Sequence, residues 1–234
     1  MVQKNGDHDQ HQIQQDPSIS RMNIANFLFG GSRPYWYQRI QIAFCISQGI
    51  VYLPEECSSQ IIHYDKKPQN ILLDDSFNVK IFDFGLAKLL MSDHSRCTID
   101  IRGTRGYVAP EWFKRMAIIA KVDVYSFGIM LLEIICCRKN FEWESWGKNT
   151  EILSNWAYDC YVERKIHLIV ENDEQAKNDG KMLERLVMTT IWCIQEDPSL
   201  RPFMKKVTKM LEGAIKVCMP PVRDPSSFIS SICT

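Results

Sequence analysis

Apolar residues recur at helical spacing along most of this chain, and the longest amphipathic stretch lies between Pro34 and Pro54. The residues that share one face there are Ile42, Ala43, Ile46, Gly49, Ile50 and Leu53. Proline fits the first turn of a helix and disrupts a later one. The pattern therefore predicts a core helix that opens near Pro34 and stops or bends at Pro54.

A second stretch, residues 121–138, is apolar on nearly all sides, which predicts a helix buried at the centre of the fold. Asp123 stands at its start, where two interpretations remain open. It is either a buried anchor with hydrogen-bonding partners, since a lone buried carboxylate is costly, or a surface charge favoured by the helix dipole. Helical patterning also begins near residue 21, and further helices are predicted at 150–164, 181–195 and 203–216, with a polar loop at 171–180.

Two short runs of β-forming residues, 71–73 and 79–81, flank the turn-forming sequence Asp74-Asp75-Ser76. This arrangement predicts a small hairpin. The predicted fold class is therefore mainly α, a helical bundle around a buried central helix with one small β-hairpin.

Composition narrows the class of protein. Of the 234 residues, 45% are hydrophobic, and 28 basic side chains balance 28 acidic ones. This is ordinary for one soluble domain, and a formal net charge of +0 favours neither nucleic acid nor an acidic membrane as a partner. The nine cysteines are scattered without a Cys-x-x-Cys pair, which indicates reduced thiols in a cytosolic setting. The longest apolar run, residues 125–137, is too short to span a bilayer.

The ends of the chain differ from its centre. Residues 1–20 are rich in Gln, Asp, His and Asn, which predicts a disordered polar leader. Residues 218–234 follow a Met-Pro-Pro sequence and are interpreted as a flexible tail. The folded domain is therefore assigned to residues 21–217.

The segment from His63 to Asn70 carries the candidate chemistry. Its lone carboxylate at Asp65 can take up or orient a hydroxyl proton, and Lys67 can offset charge growing on a transferred phosphoryl group. Asn70 offers a neutral oxygen to Mg²⁺, and Asp83 adds a carboxylate of the kind that Mg²⁺ prefers. The spacing fits phosphoryl transfer, and Asn70 with Asp83 is the predicted metal site.

Three motifs occur in one order: His-x-Asp-x-Lys-x-x-Asn at 63–70, Asp-Phe-Gly at 83–85 and Ala-Pro-Glu at 109–111. In this the chain resembles eukaryotic protein kinases, specifically their C-terminal lobe, over about residues 21–217. The sequences at 101–112 and 123–128 make the finer match, to plant receptor-like serine/threonine kinases of the lectin and S-receptor type.

The resemblance implies ATP and Mg²⁺ as cofactors and a protein serine or threonine hydroxyl as the acceptor. It adds His63 and Thr104 to the catalytic group of Asp65, Lys67 and Asn70, because Thr104 stands where serine/threonine-directed kinases place a threonine against the catalytic aspartate and lysine. The implied nucleotide-binding residues are Lys67, Gln69, Asn70, Leu72 and Asp83. Leu72 would lie under the adenine ring, although a buried strand residue without any ligand is an equally open interpretation.

The resemblance also implies two internal contacts. Asp123 would accept hydrogen bonds from the backbone of the catalytic loop. Arg201 would pair with Glu111, the glutamate of the Ala-Pro-Glu motif. A buried pair of this kind is structural, whereas a surface pair contributes under about 1 kcal/mol.

Several parts of a complete kinase are not in these 234 residues. There is no Gly-x-Gly-x-x-Gly sequence, and before residue 60 the only lysine is Lys4 and the only glutamates are Glu55 and Glu56. We expect little or no activity from the chain alone. Three functions stay open: a kinase catalytic region, a non-catalytic module that docks on another kinase or receptor, and a non-functional fragment. The expected location is cytoplasmic, with full-length relatives at the plasma membrane.

Overall fold

The computed structural model of the chain describes residues 22–55, 60–62, 65–82, 88–90, 104–112, 121–141 and 152–221. These ranges contain the candidate site residues from Asp65 to Leu72, as well as Thr104 and Asp123. The predicted leader at 1–20 and the predictions for His63 and Asp83 lie outside the described residues, and the predicted tail at 218–234 is described only to residue 221.

Seven α-helices and five short strands form the described part of the chain. The helices are α1 Ile24–Phe29, α2 Trp36–Glu55, α3 Lys121–Cys136, α4 Leu153–Val162, α5 Glu174–Asn178, α6 Gly180–Cys193 and α7 Met204–Glu212. The strands are β1 Met22–Asn23, β2 Gln60–Ile62, β3 Ile71–Leu73, β4 Val79–Ile81 and β5 Lys88–Leu90. Short 3₁₀ turns cover Pro68–Asn70, Pro110–Trp112 and Ile166–Val170. In these ranges no helix combines the length and the apolar character needed to cross a bilayer.

The central position predicted for the helix at 121–138 is confirmed by α3. Every residue of α3 except Tyr125 is buried. At Gly128 a Cβ atom would lie only 2.6 Å from the Cβ of Cys193 and 2.7 Å from a methyl carbon of Ile194. Only glycine permits this approach without a shift, so α3 and α6 pack with their backbones close together. The mainly helical fold class is therefore confirmed.

The helix α2 lies on the other elements of the core, as its pattern predicted. It contacts α3, α7 and β4. Its inward face holds Ile42, Ala43, Ile46 and Ile50, each no more than 3% exposed. The helix begins two residues after Pro34 and carries Pro54 in its last turn, so both predicted limits hold to within two residues.

The predicted hairpin is present as β3 and β4, which pair antiparallel with Ile71 opposite Ile81. In the turn between them, Asp74 Oδ1 accepts hydrogen bonds from the backbone N–H groups of Ser76 and Asn78, each at 2.9 Å. The strand β1 pairs with β3 and makes a third strand. The strands β2 and β5 form a separate antiparallel pair.

The prediction of a loop at 171–180 is wrong, because the structure places α5 there. Asp173 caps this helix by accepting a hydrogen bond from the backbone N–H of Ala176 at 3.1 Å. The Asp173 carboxylate also pairs with the buried Arg39 of α2, and Ala176 is 0% exposed. Ala176 is the one buried residue of this helix, so the helix shows no repeating pattern of apolar residues. It forms through long-range contacts that the local pattern does not contain.

The end of α4 offers a test of local backbone strain. The backbone N–H of Arg164 bonds to the Tyr161 carbonyl at 3.0 Å and that of Lys165 to the Cys160 carbonyl at 2.7 Å. Arg164 has φ 60 and is exposed, a conformation that glycine adopts without a steric penalty. We expect Arg164→Gly to raise the free energy of unfolding by about 0.5–1 kcal/mol, measured by urea denaturation.

The matched control is at the end of α7, where Gly213 has φ +75. We expect Gly213→Ala to destabilise the protein by about 1 kcal/mol. If both variants move stability in the same direction, the backbone assignment at these two helix ends is contradicted.

Candidate active site

The residues of the predicted catalytic loop lead directly into the small sheet. Residues 65–67 precede the 3₁₀ turn Pro68–Asn70, whose proline suits the first position of such a turn. The backbone N–H of Asn70 donates to the Lys67 carbonyl at 3.0 Å, and β3 begins at the next residue. Asp65 and Asn70 are thereby buried, and as residues they are 8% and 5% exposed.

Asp65 is the centre of a closed hydrogen-bond network. Lys67 Nζ donates to Asp65 Oδ2 at 2.7 Å, and the Thr104 hydroxyl donates to Asp65 Oδ1 at 2.7 Å. Lys67 Nζ also donates to Thr104 Oγ1 at 2.9 Å. Asn70 Nδ2 donates to the Asp65 backbone carbonyl at 2.9 Å and to Oδ2 at 3.0 Å. The structure thus brings together four of the five predicted catalytic residues, while His63 lies outside the described residues.

The network sets the charge of Asp65. Burial favours the neutral acid, but hydrogen bonds from Lys67 and Thr104, the charge of Lys67 and the hydrogen bond from Asn70 outweigh it. Together they hold the pKa of Asp65 below its usual value. A carboxylate of low basicity that stays ionised is suited to orienting a hydroxyl group.

Asn70 fits one half of the predicted magnesium site. Its amide nitrogen is engaged with Asp65, so the amide oxygen is the atom that would bind a cation. Neutral and carboxylate oxygens are the ligands that Mg²⁺ prefers. The second predicted ligand, Asp83, lies outside the described residues, and the metal site stays a prediction.

Of the remaining predicted nucleotide-binding residues, Gln69 lies within the turn Pro68–Asn70 and Leu72 follows it in β3. Leu72 in β3 is half-buried and stands opposite Asn23 of β1. Gln69 is exposed. Their roles in nucleotide binding stay predictions.

Asp123 is a buried anchor and not a surface charge, since it is 6% exposed. One of its partners is the side chain of Lys66, whose Nζ donates to Asp123 Oδ2 at 2.6 Å. The backbone contacts expected from the catalytic loop stay a prediction, because residues 63 and 64 of that loop lie outside the described residues. The contact of Lys66 was not predicted from the sequence, because two adjacent lysines are usually both exposed to solvent.

Glu133 forms a second polar cluster that sequence reasoning missed. It is 0% exposed, and both of its carboxylate oxygens lie 2.9 Å from the donating hydroxyl of Tyr107. The backbone N–H of Asn140 donates to Oε1 at 2.8 Å. Burial raises the pKa of Glu133 to about 7, against the lowering effect of Asn140, Tyr107 and Lys139. The sequence contained one sign of this cluster: Glu133 is a single acidic residue within the apolar part of α3, so a buried partner could have been expected.

The pair predicted between Glu111 and Arg201 is present and fully buried. Arg201 Nη1 and Nη2 donate to the two carboxylate oxygens of Glu111 at 2.7 and 2.8 Å. Both side chains are 0% exposed. The buried, structural interpretation of this pair is therefore confirmed.

A protein kinase domain model matches residues 35–211, which is most of the chain. The chain belongs to the protein kinase family. The match covers α2, the Asp65 network, α3 and the Glu111–Arg201 pair, and so contains every described site residue.

Similar proteins narrow the match to a group of plant kinases. The chain is 53% identical over 214 residues to the G-type lectin S-receptor-like serine/threonine-protein kinase LECRK3 of Oryza sativa subsp. indica, which covers 92% of the chain and 26% of the relative. It is 56% identical over 209 residues to LECRK1 of the same rice, covering 89% and 26%. It is 53% identical over 204 residues to RLK1 of Arabidopsis thaliana, covering 87% and 24%. The chain thus spans about a quarter of the length of these relatives.

Proposed function

We propose that this chain is the catalytic region of a serine/threonine protein kinase that transfers the γ-phosphate of ATP to a protein hydroxyl. The observation that carries the proposal is the contact of Thr104 with both Asp65 and Lys67. It holds a proton acceptor, the Asp65 carboxylate, and a cation, Lys67, within hydrogen-bonding distance of each other, a few residues before β3. The names of the relatives, which are serine/threonine kinases, support the same reaction.

Each residue of the network has a separate task in this reaction. Asp65 orients the acceptor hydroxyl and takes up its proton at a carboxylate oxygen. Lys67 offsets negative charge on the phosphoryl group during transfer. Thr104 fixes the orientation of the Asp65 carboxylate through Oδ1. When bound, Mg²⁺–ATP supplies the phosphoryl group and a cation that neutralises its charge.

Asn70 and Asp83 would hold Mg²⁺ through their side-chain oxygens. Lys67, Gln69 and Leu72 would contact the nucleotide, with Leu72 under the adenine ring. This assignment depends on the resemblance to the family and on the donor chemistry of Asn70.

The proposed partner is a protein substrate with an exposed serine or threonine, and a second candidate partner is another kinase or receptor. The relatives are named receptor-like kinases. We place the chain on the cytoplasmic side of the plasma membrane, because there ATP and Mg²⁺ are available to a kinase region.

Magnesium-dependent nucleotide binding tests the proposal. At ATP concentrations ten times the Kd, we expect Mg²⁺–ATP to stabilise the folded chain by about 1.4 kcal/mol. This corresponds to a rise in Tm of about 3–6 °C in a thermal-shift assay. ATP with EDTA, and Mg²⁺–ATP with Asn70→Leu, are the controls and should give much smaller shifts. A stable monomer with no shift would contradict the proposal and favour a non-catalytic interaction module, and aggregation would favour a non-functional fragment.

Turnover by the isolated chain is a separate part of the proposal. The 234 residues contain no Gly-x-Gly-x-x-Gly sequence, and before residue 60 their only lysine is Lys4, which lies in the predicted polar leader. Loss of a single well-placed electrostatic donor costs roughly 10²–10³ in turnover. We therefore expect weak or no transfer of radiolabelled phosphate by the purified chain, and robust turnover that Asp65→Asn abolishes would contradict this.

A further inference from the structure

Three consecutive residues of the catalytic loop contact two different parts of the molecule. Asp65 and Lys67 contact each other and Thr104. Lys66, between them, reaches Asp123 in the first turn of α3. In extended backbone, successive side chains point to opposite faces, and Lys67 has extended angles of φ −152 and ψ 159. The loop therefore presents one face to the reaction site and the other to the central helix.

The Lys66–Asp123 pair is removed from water. The two side chains are 2% and 8% exposed, and their N–O distance of 2.6 Å is that of a strong charge-assisted hydrogen bond. Burial lowers the pKa of Lys66, and the charge and hydrogen bond of Asp123 oppose this. The attraction in such a pair does little more than offset the cost of removing both charges from water. Its main consequence is therefore geometric, since it specifies where the loop sits.

The same face of α3 also holds the chain that follows Thr104. Ser126 Oγ donates to the Tyr107 carbonyl at 2.8 Å, and the Tyr107 hydroxyl donates to Glu133. Residues 123, 126 and 133 are spaced by three and seven positions, which places them along one side of a helix. The two segments that carry Asp65 and Thr104 are thus both attached to one side of a rigid, buried helix.

We propose that Lys66 is a positioning residue. Through its ion pair with Asp123, it sets the height of the loop above α3, so that the Asp65 carboxylate meets Thr104 and Lys67 at hydrogen-bonding distance. Among the described residues, the Lys66 side chain contacts Asp123 and none of the proposed reacting groups. The catalytic meaning of this positioning rests on the proposed function, but the positioning is measurable without turnover.

Amide hydrogen exchange followed by NMR on the full chain tests the proposal. The local reporters are the amides of Asn70, which donates to Lys67 O at 3.0 Å, and Phe82, which donates to Asn70 O at 3.1 Å. The distant reporter is the amide of Ile194 at the end of α6, which donates to Thr190 O at 3.0 Å. In Lys66→Met we expect protection at both local reporters to fall by about tenfold or more, and at Ile194 by less than about twofold.

A matched control is available in a surface pair of similar geometry. Lys165 Nζ lies 2.8 Å from Glu163 Oε2, with side chains 56% and 58% exposed. Lys165→Met removes the same charge by the same substitution and should change none of the three amides. Asp123→Asn should reproduce the pattern of Lys66→Met. The double variant should lose no more local protection than the stronger single variant, because the Lys66–Asp123 contact is already absent from each single variant.

The outcomes separate positioning from general stabilisation. An equal loss at all three amides would mean that the pair only contributes to global stability, and unchanged local amides would mean that it does not hold the loop. Either result overturns the proposal, as does additivity of the two single variants. If Lys66→Met does not fold, Lys66→Arg keeps the charge and alters its geometry. We then expect a loss confined to the two local amides, and their full protection would overturn the proposal. Failure to bind nucleotide would contradict the proposed function and leave these exchange results unaffected.

Discussion

Replacing Arg201 by methionine is expected to lower the free energy of unfolding by about 3–5 kcal/mol. The substitution leaves the Glu111 carboxylate, 0% exposed, without its partner. It also removes hydrogen bonds from Arg201 to the backbone carbonyls of Gln195 at 2.6 Å, Lys121 at 3.1 Å and Glu196 at 3.2 Å. An uncompensated buried charge and unsatisfied carbonyls act in the same direction. Urea denaturation at pH 7 measures the change.

Two control variants are available, one at Glu111, the partner of Arg201, and one at the exposed pair of Lys165 and Glu163. Glu111→Leu combined with Arg201→Met should recover part of the loss, because no lone charge then remains buried. Lys165→Met, which breaks an exposed pair, should cost less than about 1 kcal/mol. A cost below about 1 kcal/mol for Arg201→Met as well would show that the Glu111–Arg201 pair is not buried in solution.

Glu133 is expected to make the protein less stable as pH rises from 4.5 to 7. Burial raises the pKa of Glu133 in the folded protein from 4.5 to about 7, so between these values the folded state holds a proton that the unfolded state releases. The stabilisation is complete below pH 4.5 and is lost as pH rises through about 7. At roughly 1.36 kcal/mol per pH unit, the loss amounts to about 3 kcal/mol.

Comparison with Glu133→Gln isolates this contribution from those of the other titratable groups. The glutamine oxygen can accept the bond from the Asn140 N–H, and its amide can donate to the Tyr107 hydroxyl oxygen, so the contacts of Glu133 are largely kept. Urea denaturation from pH 4 to pH 8 should show a difference between the two proteins that changes by about 3 kcal/mol over this range. Parallel pH profiles would mean that Glu133 titrates as an exposed carboxylate.

The parts of the fold that could be predicted are those with a strong local pattern. The helix α3 was recognisable because its residues are apolar on nearly all sides, and β3 and β4 because turn residues separate two β-forming runs. The helix α5 was not, because its position depends on Arg39, which is more than a hundred residues earlier in the chain and pairs with Asp173. The strand β1 was missed for a similar reason, since two residues carry no period and only their pairing with β3 defines them.

The same distinction applies to the candidate site. The spacing of Asp65, Lys67 and Asn70 is contained in one short segment, and the resemblance to the family added Thr104. The partners of Lys66 and Glu133 are not local: Asp123 lies 57 residues after Lys66, and Tyr107 lies 26 residues before Glu133. A single sequence does not show which distant group will compensate a buried charge. These two contacts could therefore be identified only from the three-dimensional structure.

The central claim is that Asp65 serves phosphoryl transfer. It is tested most directly in a fusion protein that adds the glycine-rich loop and the strand lysine that the 234 residues do not contain. The chain would be joined to the N-terminal lobe of a protein kinase, which carries the glycine-rich loop and the strand lysine. Transfer of radiolabelled phosphate to serine and threonine peptides would then be measured. We expect turnover that falls by about 10²–10⁴-fold in Asp65→Asn, with little transfer to tyrosine peptides. Transfer that is unaffected by Asp65→Asn would contradict the claim, and so would a folded fusion that binds Mg²⁺–ATP but transfers no phosphate.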